Sequence, residues 1–356
     1  MKASLVVFLA AAVAAVPQRG LGGGGLPVVS TKTLTPKLRA NAKRVAVKYG
    51  PFELLAKDDR DQLADAPHRQ AKKSPGSMDP KGQSGMSTLS GGLCGGCTVL
   101  SAHYGLEYPD GKEAKPESGV YIHHLVSYDT SKQAQSPIGD CNGGSGIKMP
   151  FGAQFVDRGE DSGDTATTFA SADPSSNSGY HMSAKAKLIV QHDLVNYENT
   201  AKKLYIVLDY EYLPGLQGND AGATLKSVTA CGVGGPKVDP KARAVTTGKP
   251  MAVTADATVT WARGHLHAGG EKMELFVNGK HTCDSLPKYD AQGVITTMTL
   301  CPQPIKLKKG DTVSINAVYN LPKYPLRKST DGHGAAHGVL GGSDVMGMFA
   351  MTYEKA

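Results

Sequence analysis

The chain has 356 residues, a formal net charge of +7 and a pI near 8.9, with its Lys and Arg scattered and never in a run of five or six. That pattern is a solvated basic surface, attracted at most to acidic polymers, and it excludes a nucleic-acid footprint. After the N-terminus no stretch is long and apolar enough to cross a bilayer as a helix, so an integral helical membrane protein is excluded too.

Met1-Lys2 followed by the apolar run from Ala3 to Val16 reads as a secretory signal peptide over residues 1–17, and predicts an exported, extracellular protein. Six cysteines (Cys94, Cys97, Cys141, Cys231, Cys283 and Cys301) then allow three disulfides in fifteen pairings. Spacing favours Cys283–Cys301 as a local clip and leaves the others open. Cys94-Gly-Gly-Cys97 looks like a redox or metal motif, but outside the cell a disulfide partner for each cysteine is the preferred reading. Without an Asn-x-Ser/Thr sequon, no N-glycosylation is expected.

Residues 18–44 carry four consecutive glycines at 22–25 and few large apolar side chains, and read as a flexible leader. Lys43-Arg44 is either a dibasic processing site or an ordinary solvated pair. Ordered structure is expected from the run Val45 to Phe52, and the polar stretch from Asp58 to Gly92 reads as a long loop. From Cys97 onward short β-like runs recur between turn signals: 97–106, 119–128, 185–195, 203–212, then 252–261, 271–277, 294–300, 312–319 and 345–353. Amphipathic helical periods are scarce. The texture is that of an all-β sandwich or barrel, and its length predicts two β domains, 45–215 and 223–356, with the seam in the loop 213–222.

Four histidine-bearing segments stand out. In Thr260-Trp-Ala-Arg263-Gly-His265-Leu-His267-Ala-Gly-Gly270, at the end of a strand, His265 and His267 leave the same face while Leu266 turns inward. Two imidazoles so placed can chelate copper or zinc. The following strand ends in Asn278-Gly279, a hairpin signal. In Val120-Tyr-Ile-His123-His124-Leu-Val-Ser-Tyr128 the adjacent histidines point to opposite faces, and both can reach one metal only if the strand is bulged or bent there. His192 lies near the end of an apolar strand, as a ligand or as a hydrogen-bonded core residue. The C-terminal run holds His333, His337, Met346, Met348 and Met351; a thioether suits copper(I), whereas a strand methionine otherwise fills core. Trp261 reads as core or rim, Tyr128 and Tyr197 as framework. His68, His103, His181 and His281 stand outside the set as surface or locally bonded histidines.

In this order, His-His, a later strand histidine, His-x-His and a Gly-Gly loop leading into a Met-bearing strand, the chain resembles the copper type II, ascorbate-dependent monooxygenases of the peptidylglycine-hydroxylating family. The wording Gly105-Leu-Glu-Tyr-Pro-Asp-Gly111, Gly119-Val-Tyr-Ile-His-His124, Gly264-His-Leu-His-Ala-Gly-Gly270 and Cys283-Asp-Ser285 is similar to a secreted fungal and plant family named for a stress-up-regulated nodulation protein. The similarity runs from about Tyr49 to the C-terminus.

The resemblance implies two jelly-roll-like antiparallel β-sandwich domains and two coppers per chain, with ascorbate or another external reductant. His123, His124 and His192 would hold an electron-transfer copper. His265, His267 and Met346 would hold a catalytic copper at which oxygen or peroxide attacks a C–H bond, with Met348 sharing the strand parity of Met346. The substrate would be a small molecule, a peptide or a cell-wall component. Arg263 corresponds to an arginine that grips a substrate carboxylate in the peptide enzymes, but its tyrosine partner is replaced here by Ala350, which argues against a peptidyl-glycine substrate. His337 is the candidate to support a ligand from behind. The alternative is a non-catalytic secreted copper-binding, stress or cell-wall protein on the same scaffold.

Overall fold

Runs in which β-branched or aromatic residues alternate with small polar ones fold as strands, and among the described residues the only helical elements are two three-residue 3-10 turns, Pro116–Ser118 and Glu160–Ser162. The computed structural model describes residues 18–19, 25–57, 82–89, 91–139, 152–171, 173, 176–229, 238–302, 304–325 and 345–355. The all-β expectation holds, in several antiparallel sheets.

In the first half, Lys202–Pro214 lies between Lys43–Leu54 and Cys97–Glu107, antiparallel to both. A second sheet sets Leu188–Asn196 between Gly82–Leu89 and Val120–Asp129, with Ala153–Gly159 beyond the latter. The two sheets share a core containing Tyr49, Phe52, Tyr104, Leu125, Phe155 and Leu208. In the second half one sheet runs Ala221–Ser227, Gly347–Lys355, Ala257–Leu266, Ile305–Leu307. Its partner runs Arg243–Thr247, Thr312–Asn320, Gly270–Val277, Lys280–Ser285. Their core includes Val259, Ala262, Leu266, Met273, Phe349 and Met351. The Asn278-Gly279 hairpin forms, with both residues at positive φ (52° and 73°), the backbone that this dipeptide tolerates best.

Two stretches differ from expectation. Within the proposed leader, Val28–Leu34 is an exposed edge strand on Lys43–Leu54, because its β-branched residues suit an extended edge even without burial. Arg44 lies in the partner strand and is ion-paired to Asp209 at 2.6 Å. Within the expected loop, Gly82–Leu89 completes a sheet; its small polar side chains fit against Leu188–Asn196, and only Leu89 gives it an apolar anchor. Disulfides join Cys94 to Cys97 and Cys283 to Cys301. Cys141, Cys231, His68, His333 and His337 lie outside the described residues. Among the described residues no helix is long and apolar enough to cross a membrane.

Candidate metal centre

The strand Val120–Asp129 is bulged at its histidines. Asp193 pairs with His124 but the next residue, Leu194, pairs with Ile122, which leaves His123 as the extra residue. A bulge breaks the strict alternation of faces, the condition under which adjacent histidines can converge. The ring centroids of His123 and His124 are 4.2 Å apart.

The second contribution comes from Ala257–Leu266. A bulge near Thr260 resets this strand so that Val259, Ala262 and Leu266 enter the second core. Trp261, Arg263 and His265 leave the opposite face, toward the first half. Contacts across the junction fix that orientation: Thr352 Oγ1 donates to Thr168 O at 2.6 Å, and Arg263 Nη2 donates to Asp157 Oδ2 at 3.4 Å. His267, just past the strand, is set by its backbone N–H, which donates to the Tyr319 hydroxyl at 3.2 Å.

Four imidazoles from the two halves therefore meet. His124 Nε2 is 3.0 Å from His265 Nε2 and 3.4 Å from His267 Nε2. His123, His124 and His267 offer ligand nitrogens that all lie within 4.8 Å of one another. The residues expected as two separate centres are brought to one place, where Arg263 and His265 of Ala257–Leu266 meet Asp157 and Asp161 of the first half. His192 is not with them. Its register partner is Leu125, a core residue, so it points into the first sandwich, where its Nε2 lies 3.4 Å from Ser87 Oγ.

Two carboxylates that sequence reading missed set the ring orientations. Asp161 Oδ1 accepts from His265 Nδ1 at 2.8 Å, and Asp193 Oδ2 accepts from His123 Nδ1 at 3.2 Å. Each leaves Nε2 of its imidazole as the lone-pair nitrogen, the arrangement found behind metal-bound histidines. Burial opposes ionisation of Asp161, but His265 and Arg263 hold its pKa below the ordinary carboxylate value. Burial first, then the neighbouring His123, His265 and His267, push the His124 pKa well below that of a free imidazole, so His124 stays a neutral donor. Its Nδ1 is buried with no hydrogen-bond partner. Neutral imidazole nitrogens facing one another at these distances repel unless a proton or a cation lies between them, and an all-nitrogen donor set suits copper or zinc. The residues fit such an ion.

The remaining candidates fall around this cluster. Met348 is the register partner of His265 and shares its sheet face. Met346 precedes that strand; its carbonyl accepts from the Tyr319 hydroxyl at 2.6 Å and its N–H donates to the same oxygen at 3.0 Å, which ties it to the His267 backbone. Arg263 is only 1 % exposed, committed to Asp157 and lying over the Trp261 ring at 5.5 Å, so it does not face a substrate-accessible surface. His103 is packed against Arg158, and His281 is bonded to Asp284. Glu274, His281 and Asp284 form another cluster of potential ligands, but the Lys272 ammonium lies 2.7 Å from Glu274 and 3.3 Å from Asp284 and supplies the cation there.

No family model matches the chain. Probable copper-dependent oxygenase M1 of Phoma sp. is 23% identical over 248 residues, 67% of this chain and 61% of that protein. Probable copper-dependent oxygenase clz3 of Cochliobolus lunatus is 23% identical over 236 residues, covering 64% of this chain and 72% of that protein. The chain thus spans about three-fifths of the length of the first of these relatives. The relationship is distant, and it is to proteins named as copper-dependent oxygenases. Among solved structures, PNGF-II overlays with a TM-score of 0.34 at 13% identity, over 79% of this chain and 62% of that one. PNGase F from Flavobacterium meningosepticum gives 0.33 at 9% identity, over 81% and 94%. Both overlays are too loose to bear on fold or function.

Proposed function

We propose that this chain is an exported copper-dependent oxygenase-like protein with one copper held between its two halves. His123, His124 and His267 would be ligands, and His265, 3.0 Å from His124, a fourth. The observation that carries the reading is the approach of His124 Nε2 to His265 Nε2 at 3.0 Å and to His267 Nε2 at 3.4 Å, with His123 in the same cluster of ligand nitrogens. The names of the two distant relatives support copper, and the N-terminal apolar run together with two disulfides supports export.

Copper held by imidazoles supplies one-electron redox cycling and the activation of dioxygen. The protein residues provide the setting. Asp193 and Asp161 hold protons on His123 Nδ1 and His265 Nδ1, which turns the Nε2 atoms into the cluster. The packed sheet faces limit water at the buried His123 and His265. Met348, opposite His265, is the nearer thioether candidate by register, with Met346 as the alternative. An external reductant such as ascorbate would return the metal to copper(I), and the substrate would be a small molecule, peptide or wall component carrying the C–H bond.

The second reading, a non-catalytic copper-binding protein, is favoured by the burial of Arg263, which removes the one cation expected to grip a substrate. Oxygen uptake by copper-loaded protein with ascorbate decides between them. Uptake abolished by His267→Ala supports the oxygenase, whereas tight copper binding with no uptake above free-copper controls supports the binder.

A further inference from the structure

We propose that Asp161 is the positioning residue of the metal centre, reaching from the first half across the junction to fix how His265 of the second half is presented. This rests on the copper reading above and extends it to how the site is assembled. Asp161 lies in the short turn Glu160–Ser162 that follows the strand Ala153–Gly159. It is 1 % exposed, and both its oxygens are engaged by the second half: Oδ1 by His265 Nδ1 at 2.8 Å and Oδ2 by the Leu266 N–H at 3.2 Å. One carboxylate thus grips the side chain of His265 and the backbone of the next residue. A ring held by Nδ1 in this way can present only Nε2, the atom 3.0 Å from His124.

The same segment sets both sides of the site. Gly159, two residues before Asp161, is the register partner of His124. It is extended, with φ −111°, so its need for glycine is one of space. A Cβ there would stand 2.7 Å from Asp161 Oδ1 and 2.9 Å from His265 Nδ1. The Gly159 N–H donates to Ser162 Oγ at 2.8 Å, which closes the turn and aims Asp161 outward. Asp193, by contrast, serves His123 from a neighbouring strand of the same sheet.

The test compares wild type, Asp161→Asn and Thr352→Val. The last removes a junction hydrogen bond, to Thr168 O, without touching an imidazole. Copper(II) affinity is measured by competition with a chromogenic chelator, and the copper(II) resonance spectrum is recorded for each. Asp161→Asn is expected to weaken binding about 10- to 100-fold and to change the nitrogen coordination pattern, while Thr352→Val keeps the wild-type spectrum. An unchanged Asp161→Asn, or the same change in Thr352→Val, overturns the proposal. A second measurement needs no variant: nitrogen shifts of histidine-labelled, metal-free wild type should show His265 protonated on Nδ1, and protonation on Nε2 contradicts the proposal even if Asp161→Asn fails to fold. If wild type binds no copper, the proposed function falls, and this tautomer measurement still judges the role of Asp161.

Discussion

His124 and His265, 141 residues apart in the chain, face each other at 3.0 Å where the first-half and second-half sheets meet. Each belongs to a pair, His123-His124 and His265-x-His267, that alone would be an incomplete chelate. On the proposed copper reading, the two pairs joined would make a single donor set that depends on both halves being docked.

If the set is shared, removing either half removes the whole. His124→Ala and His267→Ala are each expected to abolish tight copper binding, as seen by equilibrium dialysis, with no residual half-stoichiometric site. Retention of a full site in the first half after loss of His267 would show two independent centres.

A metal that bridges the halves also stabilises their docking. At copper concentrations a hundred times Kd the folded protein gains about 2.7 kcal/mol, so thermal unfolding of the loaded protein should begin several degrees higher, and a chelator should reverse the shift. An identical melting curve with and without copper would argue that the ion does not bind between the halves.

Arg263 and Asp157 form a buried pair at 3.4 Å. Burial drives the Asp157 pKa up, and Arg263 opposes this. Arg263→Leu strands that carboxylate and should cost about 3–5 kcal/mol in denaturant unfolding. Arg263→Leu with Asp157→Leu should recover most of it. A neutral single substitution would mean that the guanidinium is free for a ligand after all.

Burial lowers the His192 pKa from 6.5 to about 4, with Asp193 acting weakly the other way. The unfolded chain therefore takes up this proton first, so stability is lost as pH falls below about 6.5, reaching on the order of 3 kcal/mol from this residue by pH 4. His192→Gln should flatten that limb of the stability profile while leaving copper binding intact. Loss of copper from this variant would return His192 to the ligand set.

Much of the site was legible because its signals are local. The i, i+2 spacing of His265 and His267 sets a common face in any extended strand, and Asn278-Gly279 announced its hairpin. The His123-His124 pair was readable only as a condition, since a bulge depends on the neighbouring strand, and the register slip between Asp193 and Leu194 supplies it. His192 lies before that slip, paired with Leu125, and alternation with Leu188 and Val190 turns it to the core. The meeting of the pairs was not legible, because which sheet faces stack is fixed by contacts over a hundred residues apart, such as Asp161 with His265. Asp161 and Asp193 carry no motif of their own. The strand Val28–Leu34 was hidden by its exposure, which leaves no alternation of buried and polar positions to read.

Metal content of the mature, copper-loaded and desalted protein, with the copper(II) resonance spectrum taken before and after ascorbate, tests the central claim most directly. The shared centre predicts one copper per chain, bound by imidazole nitrogens, reduced by ascorbate and restored by air. Two coppers in distinct environments, or none retained after desalting, would contradict it.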